Sequence, residues 1–233
     1  TTIAAISTSR AVRPARCGRS EKPGITYTNF LYVQLINNFI HDIVKEAANI
    51  VVTGISSSFV IMAQTMEPDN FKKIILVNPS DINIIKEMPT KETKAAKTIL
   101  EIPILGTFIY NLIMHHKRIR NYIESKYFFK KTFLSSKLED TYFESAHKGN
   151  SAGKYLLAST KGNYVNIDIS NAVKKADNLY IISSRERNNA VAITEKYLHL
   201  NKNIEATYIS NSRYLPQLET PDKFKDIVLM FLQ

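Results

Sequence analysis

The sequence predicts an α/β protein built on a parallel sheet, and three observations carry this. Ile50–Thr53 is a β-branched run that meets Gly54, three serines (Ser56, Ser57, Ser58) and an apolar segment with helical spacing through Met66: strand, sharp turn, helix. Lys73–Val77 (KIILV) is a continuous apolar run, as expected of a parallel strand buried on both faces. From Asn178 the alternation resumes, with strands at Leu179–Ile182 and Glu205–Ile209, a helix at Asn188–Leu198 and a closing amphipathic helix at Pro221–Leu232. Short connections between parallel strands imply right-handed crossovers.

At 233 residues, 44% apolar and 22% charged, the chain can bury one sizeable core carrying an insertion. Its single cysteine, Cys17, excludes an internal disulfide framework and points to a reducing, cytoplasmic setting. The amino terminus has no apolar stretch behind basic residues, so no secretory signal is predicted. The longest apolar run, Ile99–Met114, is about a turn short of a membrane span and is interrupted by Glu101, Pro103 and Gly106; no transmembrane segment is expected. The net charge of +10 comes from scattered, mostly lysine residues. That supports a nonspecific electrostatic term and no specific nucleic-acid recognition.

Residues 1–15 read as a poorly ordered arm, with Arg10 and Arg13, followed by Arg16 and Arg19, among alanine, proline and serine. Asn29 is a candidate N-cap. Behind it Leu31, Leu35, Phe39 and Ile43, with Ile36, Ile40 and Val44, form an apolar stripe through Lys45, leaving His41 on the polar side. From 82 to 169 the α/β alternation gives way to helical signal broken at Pro89, Pro103 and Gly106. Within it, the neighbouring His115 and His116 point about 100° apart on a helix and read as part of a solvated basic face with Lys117, Arg118 and Arg120, not as a metal site. The aromatics from Tyr122 to Phe143 either line a ligand pocket or fill a core. The expected organisation is therefore an arm (1–15), an α/β core (16–81 and 170–233) and a helical insertion (82–169).

Two stretches carry a resemblance. Gly54-Ile55-Ser56-Ser57-Ser58 differs by one residue from the G-x-S-x-G nucleophile elbow, and the tail from Arg213 through Pro216, Glu219, Pro221 and Phe224 is close to a G-H-x-P-x-x-E-x-P-x-x-F signature. Cys17-Gly18-Arg19-Ser20-Glu21-Lys22-Pro23, followed by Tyr27-Thr28, resembles in part the G-x-G-x-S-x-x-P…Y loop of the same proteins, with Arg16 where the first glycine falls. Over roughly residues 16–233 the chain resembles the α/β-hydrolase superfamily, of the serine-hydrolase type. The resemblance implies a parallel sheet flanked by helices, lacking the family's first strands, with a helical cap inserted after the sixth family strand.

In that family a serine attacks an acyl carbonyl, a histidine takes its proton and a carboxylate orients the histidine. The resemblance puts the nucleophile at Ser56, the acid at Glu186 and one oxyanion donor at the Ser57 N–H. The histidine position holds Arg213, with Ser212 in place of the preceding glycine. A guanidinium offers no acceptor and cannot act as the general base. The family's strands one to three and its other oxyanion loop have no counterpart, which leaves a sheet edge open to a second copy of the chain.

Two functions are expected from this. One is an esterase-like serine hydrolase acting on a small ester, weak or inactive for want of the histidine. The other is a non-catalytic hydrolase-like protein whose cleft holds a small apolar or anionic ligand or a protein partner. Neither calls for a cofactor or a metal.

Overall fold

The computed structural model describes residues 3–5, 10–12 and 22–233. Six strands form one sheet in the order β2-β1-β3-β4-β5-β6: β1 (Ile3–Ala5), β2 (Arg10–Val12), β3 (Ala48–Thr53), β4 (Phe71–Val77), β5 (Leu179–Ser184) and β6 (Glu205–Ile209). The last four run parallel, and their register aligns Ile50 with Ile74, Ile75 with Tyr180 and Ile182 with Thr207.

Because strand side chains alternate faces, the same strands feed two cores. Ile50, Val52, Ile74, Leu76 and Ile181 face one layer. It is made by α1 (Asn29–Phe39), α2 (Ser56–Met66), α9 (Ser170–Lys175) and α10 (Ala190–Leu200). Val51, Ile75, Val77, Ile182 and Ile209 face α12 (Pro221–Leu232) through Val228 and Phe231. A short α11 (Pro216–Glu219) leads into α12.

The edge of β3 that the sequence leaves open is paired within the chain. β1 runs antiparallel to it, aligning Ile3 with Val52, and β2 folds back on β1. Residues 3–5 and 10–12 of the expected arm are therefore strands. Arg13 and the Cys17–Glu21 part of the family-like loop lie outside the described residues. α1 is capped one residue before the predicted Asn29, by Thr28, whose hydroxyl accepts the Leu31 N–H at 3.3 Å; beyond Phe39 the chain makes a π-helical turn, Ile40–Val44, closed by Lys45 at φ 61°.

Between β4 and α9 the chain forms six further α-helices among the described residues, α3 (Ile82–Ile85), α4 (Lys91–Glu101), α5 (Pro103–Ile113), α6 (His116–Lys126), α7 (Ser136–His147) and α8 (Lys154–Lys161). Part of the insertion has its own small core, in which buried Ile119, Ile123 and Phe128 pack with Leu138 and Phe143. His115 lies on the solvated face expected of the pair, while His116, whose side chain is 45% exposed, also pairs with the neighbouring helix. His116 is clasped between Glu139 at 2.8 Å and Asp140 at 3.3 Å on α7, while Arg120 reaches the same Glu139 at 3.5 Å.

Candidate active site

Parallel strands aim their carboxyl ends at one rim of the sheet, where ligands bind in open α/β folds. Here that rim is made by the turn after β3, Asn78 after β4, the segment Arg185–Asn189 after β5 and the loop Asn211–Leu215 after β6.

The turn after β3 is tighter than the sequence suggests. In a nucleophile elbow the strained residue at the tip carries the reactive oxygen. The left-handed residue here is Gly54, at φ 65°, and Ile55 already has helical angles (φ −62°, ψ −28°). Gly54 can take that conformation without a Cβ penalty, so the strand turns there and the helix begins immediately. Ser56 consequently falls two residues past the tip, in the first turn of α2, with 3% of its surface exposed. The Ser57 N–H, the expected oxyanion donor, is directed to the Gly54 carbonyl at 3.1 Å. Its hydroxyl is buried with no hydrogen-bond partner among the described residues.

The direction a side chain at Gly54 would take is already filled. A Cβ built there would collide with the Tyr214 hydroxyl. Tyr214 sits in the loop where the family places its histidine, and it is the group that closes the elbow. Its backbone N–H donates to the Tyr127 carbonyl at 3.1 Å, its ring stands edge-on to Tyr127 at 5.1 Å, and the Arg187 guanidinium lies 5.5 Å from the ring centre. Burial pushes the Tyr214 hydroxyl above its ordinary pKa, so it is protonated at neutral pH.

Glu186 lies beside this loop, but its carboxylate accepts backbone N–H groups, from Asn211 at 2.9 Å and Ser212 at 3.2 Å. Arg213 turns away toward the cap and donates to the Ser125 carbonyl at 2.5 Å. Among the described residues, no hydrogen bond or ion pair joins Ser56, Glu186 and Arg213 to one another. Glu186 and Arg213 thus share a loop, and Ser56 stands apart from both.

Two residues outside the predicted set hold the rim together. Asn78 is fully buried at φ 48°. It accepts the Ser184 N–H at 2.8 Å and donates to the Ser184 hydroxyl at 2.9 Å and the Tyr214 carbonyl at 3.0 Å. The Ser184 hydroxyl in turn pairs with that of Ser212 at 2.8 Å, which gives the residue replacing the family's glycine a structural role. Glu219 of the tail signature staples the cap to the core, accepting Phe129 N–H at 2.6 Å and Arg213 N–H at 2.8 Å. An asparagine directly before Pro79 at a strand end was the one available signal for Asn78; Glu219 was visible only as a signature position.

Outside Tyr214, between α6 and the loops after β5 and β6, lies a cleft of about 250 Å³ lined by Tyr122, Ser125, Lys126, Tyr127, Arg187, Asn188, Arg213 and Tyr214. Among the described residues it contains three cations and no carboxylate. None of the three takes part in an ion pair among the described residues. Arg187 donates to the Pro79 carbonyl at 2.8 Å, and its burial lowers its pKa from the ordinary value, which marks a desolvated charge. The Arg213 Nε is buried without an acceptor among the described residues. Among the described residues no set of three His, Cys, Asp or Glu side chains is arranged to hold a metal ion.

No family profile and no curated protein matches the chain in sequence. Solved structures match it in fold. MGS-M2, an α/β hydrolase enzyme from a Medee basin deep-sea metagenome library, superposes with a TM-score of 0.70 at 16% identity, over 96% of this chain and 78% of that one. CarC, a serine hydrolase involved in carbazole degradation, gives 0.71 at 13% identity over 94% and 76%. A bromoperoxidase from Bacillus anthracis gives 0.70 at 11% identity over 95% and 80%. A parallel four-strand sheet flanked by helices, with such structures matching it over most of its length, gives this chain the α/β-hydrolase fold.

Proposed function

We propose that this is a non-catalytic protein of α/β-hydrolase fold that binds a small aromatic anion, a carboxylate or phosphate ester, in the cleft between the cap and the strand ends. The observation that carries the reading is a cleft lined, among the described residues, by Lys126, Arg187 and Arg213 and three tyrosines without an acid, and shut off from the elbow by Tyr214. Guanidinium donors suit the paired oxygens of a carboxylate or phosphate, and a partly desolvated cation gains from an anion what it lacks in water. The faces of Tyr122 and Tyr127 offer an aromatic group a stacking surface. Against ester hydrolysis stand a tip residue without a side chain, a buried Ser56 and a histidine position occupied by arginine. Fold alone does not supply the chemistry.

Two measurements on one preparation test this. Calorimetric titration with phenyl phosphate, benzoate and benzyl alcohol is expected to detect the two anions and not the alcohol, with roughly tenfold weaker binding in Arg213→Gln. Turnover of a short-chain p-nitrophenyl ester is expected to be the same in wild type, Ser56→Ala and Arg213→His. Wild-type hydrolysis that disappears in Ser56→Ala would refute the proposal in favour of a working serine nucleophile. Equal affinity for benzyl alcohol would refute the anion assignment.

A further inference from the structure

We propose that α5 docks this protein onto an anionic lipid surface. Ile104, Leu105, Phe108 and Leu112 follow one another along one side of the helix and are 86%, 45%, 67% and 51% exposed. Ile99 and Ile102, also exposed, extend the patch toward α4. No charged residue occurs between Glu101 and His115. The far side of α5 is anchored: Gly106 lies against the Leu100 carbonyl with no room for a Cβ, and the Tyr110 hydroxyl donates to the Ala146 carbonyl at 2.7 Å. Lys154 donates to the Pro103 carbonyl and the Thr107 hydroxyl, at 3.1 and 3.0 Å, so the start of the helix is tied down from behind.

The apolar front therefore belongs to a helix held by its back, and the side chains of Ile104, Leu105, Phe108 and Leu112 on it are hydrocarbon. Asn111 is engaged by the Ser151 hydroxyl at 2.5 Å. A protein partner of ordinary composition would call for hydrogen bonds across the contact, which this face does not provide. A bilayer calls for none. Eleven residues span about 16 Å, too short to cross a membrane and suited to lying in its interface, and α4 and α5 meet at 98°, so they do not combine into one straight span. Charge selects the lipid. Exposed Lys117 and Arg118, in the first turn of α6, make no ion pair among the described residues, Lys91 and Lys94 are exposed on α4 with Glu92 between them, and the chain carries a net charge of +10. Anionic headgroups complement that basic flank.

The test is flotation of the purified chain with vesicles of phosphatidylcholine alone and of phosphatidylcholine mixed with phosphatidylglycerol, at low and high salt. Wild type is expected to float with the anionic vesicles, less so at high salt. Ile104→Ser/Phe108→Ser is expected to partition at least tenfold more weakly, and Lys117→Gln/Arg118→Gln roughly tenfold more weakly at low salt. Circular dichroism and phenyl phosphate titration, which reads a separate site, control for folding. Equal partitioning of wild type and Ile104→Ser/Phe108→Ser overturns the proposal. So does failure of wild type to float with either vesicle. Concentration-dependent dimerisation that the serine variant abolishes, with no vesicle binding, would instead assign the face to a second copy of the chain.

Discussion

Replacing Gly54 by alanine probes the closed elbow, because two separate penalties meet at one carbon. The first is conformational: at φ 65° an L-residue sits in the left-handed region, at a cost of roughly 1–2 kcal/mol. The second is steric, since the new methyl group would overlap the Tyr214 hydroxyl and force that ring from its place between Tyr127 and Arg187. Overpacking of this kind costs about 1–3 kcal/mol. Gly54→Ala should therefore lose about 2–5 kcal/mol of unfolding free energy. In a Tyr214→Ala background only the conformational part remains, so the coupling between the two substitutions should be about 1–3 kcal/mol, within the range measured for contacting residues. Urea denaturation followed by circular dichroism on the four proteins of the cycle reads both quantities. An equal loss in the two backgrounds would show that Tyr214 does not occupy the elbow. A loss under about 0.5 kcal/mol in wild type would show that Gly54 is not left-handed.

Other expectations concern the rim and the core. Asn78→Ala removes three side-chain hydrogen bonds at a buried left-handed position and should cost about 3 kcal/mol or more, whereas Asn78→Gly, which tolerates the backbone, should recover roughly 1 kcal/mol of that in the same urea assay. Glu219→Ala leaves two backbone N–H groups without their acceptor and should lose about 3–5 kcal/mol, with Glu219→Gln intermediate; equal stability of all three would refute the staple.

Asp81 gives a pH signature. Partial burial works to raise its pKa, but hydrogen bonds from Lys196 and from the Asn83 N–H, with the Lys196 charge, hold it below its ordinary value of 3.8. A depressed folded-state pKa contributes stability that is present above the ordinary value and lost as pH falls through the folded value. Wild type should therefore exceed Asp81→Asn, which keeps the helix cap, by a few tenths to about 1 kcal/mol at pH 7, the pair being partly solvent-screened. The two should converge in acid, and a difference that persists there would refute the linkage.

What can be read along the chain follows from how far each cause reaches. β4 and β5 are recognisable as apolar runs and β6 by its propensity, while α12 shows a 3.6-residue stripe after a proline; burial periodicity and turn chemistry are local, so the sequence alone determined a parallel α/β sheet with a helical insertion and located its elements. It also identified Gly54 as a turn and Glu219 as a position of note. Which residue stands at the tip of that turn was a different matter. The tip is decided by where β3 stops pairing with β4 and by the one residue able to adopt φ 65°, and the motif spacing pointed two residues further on, to Ser56. The group that fills the tip, Tyr214, comes from the far end of the chain. The Asn78 amide reaches Ser184 across 106 residues, and Glu219 reaches Phe129 across 90. His116 finds Glu139 only because α6 packs on α7. Contacts of that separation depend on register and packing, which no local pattern encodes. The tertiary structure alone therefore decided that the loop expected to carry a catalytic histidine closes the elbow with Tyr214 and turns Arg213 toward a separate cleft shared with Arg187 and Lys126.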